Sequence, residues 1–212
     1  MDANIAPTKS NLLAAKATLD FSKEGYELLD KKRNVLIREM MSFMDSAREI
    51  QQKIEEKFKE AYEALMMANL TLGIATVSDI AATVPENGHF DILYKSVMGV
   101  EIPKIKYEKR EPIPTYSFYQ TNPAMDDAFK KLWEIKYLVM ELAEIETSVY
   151  RLAKEIKKTQ KRANALENIQ IPKYGEIVKY ISDVLDEKDR EDFYRLKVVK
   201  KKRLKKKAPL AD

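Results

Sequence analysis

A seven-residue repeat of apolar residues runs through the first third of the chain and restricts its possible folds more than any other feature. Between Leu12 and Thr71, two positions of the repeat are apolar in 14 of 18 cases, and charged residues such as Glu24 fall between them. An apolar stripe with this period winds helices into a left-handed supercoil. The sequence therefore predicts one long helix with a continuous seam, and Thr8 or Ser10 is placed to cap its start.

The same repeat returns in the second half of the chain, where ten of 12 seam positions from Ala128 to Leu166 are apolar. Asn122 followed by Pro123 is a favourable helix opening, because asparagine caps a helix and proline fits its first turn. Pro172 lacks a backbone N–H and clashes with the preceding turn of a helix. We therefore expect a kink or a short break near Pro172, with helix resuming beyond it.

The two stripes have matching lengths and can bury each other within one chain. We therefore predict a mostly α fold, a long antiparallel two-helix coiled coil in which the N- and C-terminal helices pair. A helix of about 60 residues spans roughly 90 Å, so we expect a rod with both termini at one end. In this arrangement, residues near Leu36 should lie opposite residues 175–185.

The segment between the stripes contains most of the helix breakers. Five of the eight prolines and three of the five glycines lie between residues 73 and 123, which favours an irregular region there. We therefore divide the chain into three parts. These are an N-terminal long helix at 1–75, a middle region with a short helix and a β-hairpin at 76–121, and a C-terminal long helix at 122–212.

The middle region contains two β-prone stretches. Residues 99–107 alternate apolar and polar side chains from Val100, and residues 114–119 are β-prone and aromatic. Residues 108–112 resemble a turn, so we expect a β-hairpin at about 97–120, with its prolines on edge strands. A two-stranded hairpin is marginally stable alone, and it should therefore lie against the long helices or against a partner.

Composition excludes several classes of catalytic site. The chain has no cysteine and one histidine, His89, which rules out thiol catalysis, disulfides and metal sites with several histidines. It has no glycine-rich phosphate-binding loop. We therefore predict no catalytic residue, no cofactor and no metal site. The longest uncharged stretch near the centre, residues 64–78, is shorter than the roughly 20 residues that a membrane-spanning helix needs.

The basic character of the chain comes from one segment near its end. The chain has 38 basic and 34 acidic residues, and seven of the basic ones lie at 200–207. This tail has two interpretations of about equal weight. It is either a solvated helix end, where lysine is favourable, or a surface that contacts an acidic protein, a phospholipid or a nucleic acid.

Several strings of residues resemble the D subunit of the A/V-type rotary ATPases. The opening resembles that family at residues 7–16 and 25–39, and Val-Met-Gly-Val-Glu-Ile-Pro at 97–103 is similar to its central segment. Residues 161–172 resemble its Arg-x-Asn-Ala-Leu-Glu signature, and residues 187–197 resemble its closing charged motif. The matches occur in the same order across nearly the whole chain.

Two positions depart from the family pattern. Ala163 replaces the bulky aliphatic residue that usually precedes the Asn-Ala-Leu-Glu string, and Ala15 stands where the family often has leucine. Neither change threatens a helix, but both reduce the side-chain volume that is available for packing against a partner.

The resemblance implies a non-catalytic central-stalk rotor subunit, cytoplasmic and peripheral to the membrane. It would transmit torque between the catalytic head of A and B subunits and the membrane ring that translocates H⁺ or Na⁺, during ATP synthesis or hydrolysis. Its other implied partners are the small F subunit of the stalk and the funnel-shaped C/d subunit on the rotor ring. Nucleic-acid binding and direct membrane insertion are not implied.

Two groups of site residues follow from this reading. Contacts with the catalytic head are expected near the shared end of the helices, from Thr8, Lys9, Leu12, Arg33, Arg38, Arg162, Asn164, Glu167, Arg190, Arg195 and Lys197. Docking of the small stalk subunit is expected on the hairpin and its aromatic residues, from Val100, Ile102, Ile105, Tyr107, Tyr116, Phe118 and Tyr119.

Two alternatives stay open at this point. One is a cytosolic coiled-coil adaptor that binds nucleic acid or anionic membrane through residues 200–207, which steeply salt-dependent binding would favour. The other is a shaft like the γ subunit of F-type enzymes, which shares the architecture but not the strings at 97–103 and 161–172.

Overall fold

The structure is a computed structural model that describes residues 5–84 and 90–207, apart from the side chains of residues 120 and 205–207. His89 lies outside the described residues. The chain divides into two compact units. The terminal unit comprises residues 1–31 and 159–212, and the central unit comprises residues 32–158.

Helix α1 extends from Lys9 to Leu72, as the first apolar repeat predicts. The Oγ1 atom of Thr8 accepts a hydrogen bond of 3.2 Å from the N–H of Asn11, which confirms Thr8 as the cap. Seven described residues of α1 are buried, and every one of them occupies a seam position of the repeat: Ala15, Ser22, Leu36, Ile54, Ala61, Ala64 and Ala68. The repeat therefore identifies the buried face of this helix correctly.

Gly73 separates α1 from the short helix α2, which spans Ile74–Ala82. Its φ of 86° lies in the left-handed region, where glycine avoids the strain that a Cβ would cause. Helix α3 spans Pro123–Ala165. The side-chain Oδ1 of Asn122 accepts a hydrogen bond of 3.1 Å from the N–H of Met125, so the predicted opening is confirmed.

The interruption near Pro172 is a widened turn of helix. Residues Leu166–Gln170 form a π-helical segment, and helix α4 follows at Ile171–Lys207. The N–H of Ile171 bonds to the carbonyl of Leu166, five residues earlier. A π-bulge inserts one residue into the helical ladder, so the helix accommodates the missing N–H of the proline without ending.

In the terminal unit, α1 comes close to the π-helical segment between α3 and α4. A Cβ built on Gly25 would lie 3.6 Å from the Cδ1 atom of Leu166. The buried residues of this unit are Ala15, Ser22, Thr159, Ala163 and Ile181. Small side chains dominate this list, so the helices of the terminal unit approach each other closely.

In the central unit, Leu36 packs against Leu152, and both are fully buried. Nearby, the Lys32 Nζ atom lies 3.4 Å from Oε1 of Glu155. The prediction that Leu36 lies opposite residues 175–185 is therefore wrong. A heptad repeat determines which face of a helix is buried, but every shift by seven residues satisfies it equally well, so the repeat alone does not fix the axial register.

A second core cluster lies near the end of α1. Ala68, Val77, Tyr116 and Met125 are buried together. Val77 belongs to α2 and Met125 to the first turns of α3, so this cluster joins both helices to α1. Tyr116 comes from the irregular segment that precedes α3, and its burial ties that segment to the helices.

One strand of the hairpin lies where the sequence predicted it, and the other lies in a different part of the chain. Strand β1 spans Phe90–Val97 and strand β2 spans Val100–Tyr107, paired antiparallel with Val97 opposite Val100. The expected strand at 114–119 is absent: this segment is irregular and leads into a 3₁₀ turn at Phe118–Gln120. The segment contains Pro114, and its Tyr116 is held in the helical core, so it offers no continuous ladder of hydrogen bonds.

Candidate docking surfaces

The hairpin lies on α3 through the outer edge of β2. The N–H of Ile105 donates a hydrogen bond of 2.7 Å to Oε2 of Glu144. The guanidinium of Arg151 donates one of 3.0 Å to the carbonyl oxygen of Glu101. Val100 and Ile102 of the same strand are buried in the Leu36 cluster. Side chains of α3 therefore cap the polar groups of this strand edge, and apolar contacts hold its face.

Tyr107 links the end of β2 to α3 by a hydrogen bond and a contact between aromatic rings. Its hydroxyl donates a hydrogen bond of 2.6 Å to Oε1 of Glu141, and its ring stacks on Tyr137 with centroids 5.1 Å apart. Burial raises the pKa of Tyr107 to about 12, and the hydrogen bond to Glu141 adds to the effect. The phenol therefore keeps its proton well into the alkaline range and serves as a hydrogen-bond donor.

The segment that follows β2 is fixed to the same helix. The indole N–H of Trp133 donates a hydrogen bond of 3.0 Å to the carbonyl oxygen of Arg110. Further along, the hydroxyl of Tyr116 donates one of 2.6 Å to Oδ1 of Asp126. Burial raises the pKa of Tyr116, and its bond to Asp126 contributes further. The loop between β2 and α3 is thus bound to α3 at both of its ends.

The predicted docking residues differ in their availability to a partner. Val100, Ile102 and Tyr116 are buried, and their side chains belong to the core clusters of the central unit. Ile105 and Tyr107 are half-buried against α3. Phe118 and Tyr119 are 68% and 91% exposed, so these two remain candidates.

The exposed apolar surface of the hairpin is on β1, which the sequence analysis did not identify as a strand. Its exposed apolar side chains are Phe90, Ile92, Leu93 and Tyr94. The available signal was the stretch 90–97, which is rich in aromatic and branched aliphatic residues and is followed by Met98 and Gly99. A two-residue connection ending in glycine is typical of a hairpin. Both turn residues have positive φ, 50° for Met98 and 79° for Gly99.

The residues predicted to contact the catalytic head are divided between the two units. Arg33 and Arg38 belong to the central unit. The others belong to the terminal unit: Thr8, Lys9, Leu12, Arg162, Asn164, Glu167, Arg190, Arg195 and Lys197. All of those except the half-buried Leu12 are exposed, so they are accessible from solvent.

Two of these arginines form ion pairs within their own helix. Arg190 lies 3.7 Å from Glu187, and Arg195 lies 3.4 Å from Glu191 and 3.7 Å from Asp192. All are exposed pairs three or four residues apart, a geometry that contributes about 0.3–0.5 kcal/mol each. The arginines can therefore exchange these partners for others at little cost.

The second half of α4 has almost no packing partner within its own unit. Ile181 is fully buried, whereas every residue from 186 to 204 is exposed except the half-buried Val198. We call residues 186–204 the free helix end. It carries five large exposed apolar side chains: Phe193, Tyr194, Leu196, Val199 and Leu204.

The described residues contain no group of three or more His, Cys, Asp or Glu side chains that could hold a metal ion. In the same part of the chain, no single helix is long and apolar enough to cross a membrane. The helices Lys9–Leu72 and Ile74–Ala82 meet that criterion only as a pair, across a bend of 115°.

Comparisons with known proteins identify the family of this chain. The family model described as the D subunit of ATP synthase matches residues 11–201. The V-type ATP synthase D subunit of Thermotoga neapolitana is 45% identical over 199 residues, which cover 94% of this chain and 98% of the relative. The A-type ATP synthase D subunit of Thermococcus sibiricus is 41% identical, with 92% and 93% covered. That of Methanobrevibacter smithii is 40% identical, with 92% and 86% covered. On this evidence the chain belongs to the family of D subunits of V-type and A-type ATP synthases.

Proposed function

We propose that this chain is the central-stalk rotor subunit of a V/A-type ATP synthase. It carries torque between the catalytic head of A and B subunits and the membrane ring that moves ions, and it performs no chemistry itself. Membership of the D-subunit family supports this role. The observation that carries it is the free helix end, 186–204, which leaves large apolar side chains in solvent.

A single helix of this length is marginally stable in water, because helical stability in proteins comes mainly from tertiary packing. At 1.5 Å per residue, the free helix end extends about 28 Å. Its apolar side chains require a partner that surrounds it, since exposed apolar surface of this extent marks an interaction site. A cavity within a ring of head subunits is such a partner.

The charge of this end also suits a ring of subunits. Residues 186–192 contain five acidic and two basic residues, and residues 195–207 contain nine basic and no acidic residues. The net charge of the helix therefore changes from negative to positive along its axis. Its two parts can contact head surfaces of opposite charge at different positions along the shaft. Arg190 and Arg195 form exposed ion pairs within the helix, each of which is worth at most about 1 kcal/mol. Contacts of this strength allow rotation, because none of them fixes the shaft at one angle.

The central unit offers surfaces for the other partners. The hairpin, with its exposed β1, is proposed to bind the small stalk subunit. Exposed apolar residues at the end of α1 and the start of α2 are proposed to bind the funnel-shaped subunit on the membrane ring. This second set comprises Tyr62, Met66, Met67, Leu70 and Ile74. The assembled subunit would lie at the periphery of the membrane.

The test is ATP-driven ion transport by the reconstituted complex containing a chain cut after Leu185. This cut removes the free helix end but keeps Ile181 and the packed part of the terminal unit. We expect the head to continue hydrolysing ATP while ion transport falls at least about tenfold, because the shaft no longer reaches into the head. Circular dichroism of the truncated chain checks that the remaining helices fold.

The matched control is a chain cut after Val199, which removes the basic tail alone. We expect only a partial loss of assembly, and the difference from the full chain should shrink as salt rises, because the charges act over about 8 Å at physiological ionic strength. Normal ion transport by the chain cut after Leu185 would show that this end does not transmit torque.

A further inference from the structure

The apolar repeat of the terminal unit moves by one residue at the π-helical segment. Before the segment, the buried residues Thr159 and Ala163 occupy seam positions of the repeat. An unbroken period of seven residues would next place on the seam Leu166, Gln170, Lys173, Ile177, Tyr180 and Val184. Beyond Leu166, three of these five positions are exposed, and the side chain of Tyr180 is 60% exposed. The original repeat therefore does not describe the buried face of α4.

The buried face of α4 lies one position further along the chain. Moving each seam position by one residue gives a set that is aliphatic or aromatic throughout: Ile171, Tyr174, Val178, Ile181 and Leu185. Ile181 is fully buried and the other four are half-buried. The seam therefore spaces Ala163 and Ile171 by eight residues. A straight α-helix with this spacing would turn the second set away from the first by about 100°, since it has 3.6 residues per turn.

The π-helical segment accommodates the additional residue. In such a turn an N–H bonds five residues back instead of four, as the N–H of Ile171 does to the carbonyl of Leu166. The widened turn takes up one residue, so the second set stays on the same side of the helix as the first. The segment contains no buried residue, so the widening displaces no core side chain. Pro172 is compatible with this turn, but the eight-residue spacing requires the additional residue in any case.

The angle at which α4 leaves the segment also determines how the free helix end is oriented, because this end is one-sided. At about 100° per residue, four of its exposed apolar side chains lie within a sector of about 140° around the axis: Phe193, Leu196, Val199 and Leu204. A change of one residue upstream would carry this apolar face about 100° around the helix axis.

We propose that the additional residue in Leu166–Gln170 sets the rotational orientation of α4, and thereby determines which face the free helix end turns to the catalytic head. The inference rests on the proposed function, because that function makes the head the partner of this end. The segment is a positioning element of the shaft. With the same residues in a straight α-helix, Tyr180 would occupy the seam and Ile181 would face solvent.

Changing the number of residues in the segment tests whether it holds one more than a straight helix needs. The variants are compared in a Pro172→Ala background, because proline disturbs a straight α-helix. Deletion of Ile169, which is 62% exposed, should give a continuous α-helix and change the melting temperature by less than about 3 °C. Insertion of one alanine after Ile169 should lower it by about 6 °C or more, because Ile181 then leaves the buried face.

The orientation of α4 can be read directly, because the chain has no cysteine. Tyr180→Cys and Ile181→Cys are introduced singly, and the rate of labelling by a maleimide reports the exposure of each thiol. In the background and in the Ile169 deletion, the thiol at 180 should react at least about tenfold faster than the thiol at 181. In the insertion variant this order should be reversed.

The functional consequence is tested in the free helix end, where the chain can be shortened without touching the packed part of α4. Deletion of the exposed Lys188 rotates all following residues by about 100°. ATP-driven ion transport by the reconstituted complex should then fall at least about fivefold. The matched control adds one alanine after Asp192 to this variant. It returns Phe193 and the residues beyond it to their original orientation, and transport should recover to within about twofold of the full chain.

The outcomes separate this inference from the proposed function. If deletion and insertion at Ile169 lower the melting temperature equally, the segment holds no additional residue and the inference is wrong. If the Lys188 deletion transports ions normally while the chain cut after Leu185 does not, the end transmits torque in any orientation. The inference is then overturned and the proposed function stands. Normal transport by the chain cut after Leu185 would overturn both.

Discussion

The amide of Ile105 and the carboxylate of Glu144 are joined by a hydrogen bond of 2.7 Å across 39 residues of sequence. A carboxylate thus takes the place that a neighbouring strand would occupy along this edge of β2. Hydrogen bonds to charged acceptors are stronger than those between neutral groups. This contact therefore fixes the hairpin on α3 at a defined point, and the docking of β2 depends on it.

Glu144→Ala should loosen the hairpin and leave the helices folded. The variant removes the acceptor of the Ile105 amide, and losing a hydrogen bond to a charged group costs about 1.5–3 kcal/mol. The expected result is faster hydrogen exchange at Ile105. Glu144→Gln is the control, because its amide oxygen still accepts, and it should show a smaller effect. Unchanged protection in Glu144→Ala would mean that Val100 and Ile102 hold the strand unaided.

Leu36→Ala and Leu152→Ala should each destabilise the central unit by about 3 kcal/mol, because both side chains are fully buried and each truncation leaves a cavity. The two residues touch one cluster, so the double variant should depart from additivity by about 0.5 kcal/mol or more. Urea unfolding measures all three. Leu70→Ala, at an exposed position, should change stability by less than about 0.5 kcal/mol. Strict additivity would contradict the observed register of the helices.

Met98→Asn should stabilise the hairpin turn. Met98 has a φ of 50° and is followed by Gly99 at 79°, and Asn-Gly is the preferred pair where both turn residues have positive φ. Relief of the left-handed strain should contribute about 0.5–1 kcal/mol. Gly99→Ala should have the opposite effect of similar size, because the new Cβ meets the same strain. Thermal unfolding checks both, and equal melting temperatures in the two variants would contradict this account of the turn.

Tyr107 should make stability depend on pH only in the alkaline range. Its pKa is raised from 10.0 to about 12 in the folded chain, mainly by burial. A raised pKa means that the folded state binds the phenolic proton more tightly than the unfolded state does. The stabilisation of the folded state that follows is therefore present in full below pH 10 and is lost as pH rises through about 12. Tyr107→Phe should lose about 1 kcal/mol at neutral pH with the Glu141 hydrogen bond, and its stability should fall less steeply above pH 10.

Urea unfolding of both proteins across that range provides the measurement. Tyr116 is present in both, so its own titration cancels in the comparison. Parallel curves above pH 10 would show that Tyr107 does not titrate as its surroundings require.

Local signals in the sequence predicted the helices and their ends. The seam positions of α1 contain all of its buried described residues, because a side chain's position around a helix follows from its place in the repeat. Thr8 and Asn122 cap their helices as predicted, because a cap depends only on residues within one turn. Pro172 marked the site of the interruption for the same reason, although its form as a π-helical segment was not predicted.

The remaining features of the fold depend on contacts between residues that are distant in sequence. The pairing of Leu36 with Leu152, and not with residues 175–185, depends on the hairpin residues Val100 and Ile102, which fill the space beside them. Tyr116 became a core residue because α1, α2 and α3 surround it, although its own segment is β-prone. Which edge of the hairpin contacts α3 was likewise decided in three dimensions, because Glu144 and Arg151 bond to backbone groups of β2. The sequence by itself determined the family, through its characteristic strings of residues. It also determined the two long helices and their buried faces, since these follow from local periodicity. Tertiary structure alone decided axial register, strand partners and which aromatic side chains remain exposed, because each of these depends on which residues compete for the same buried space.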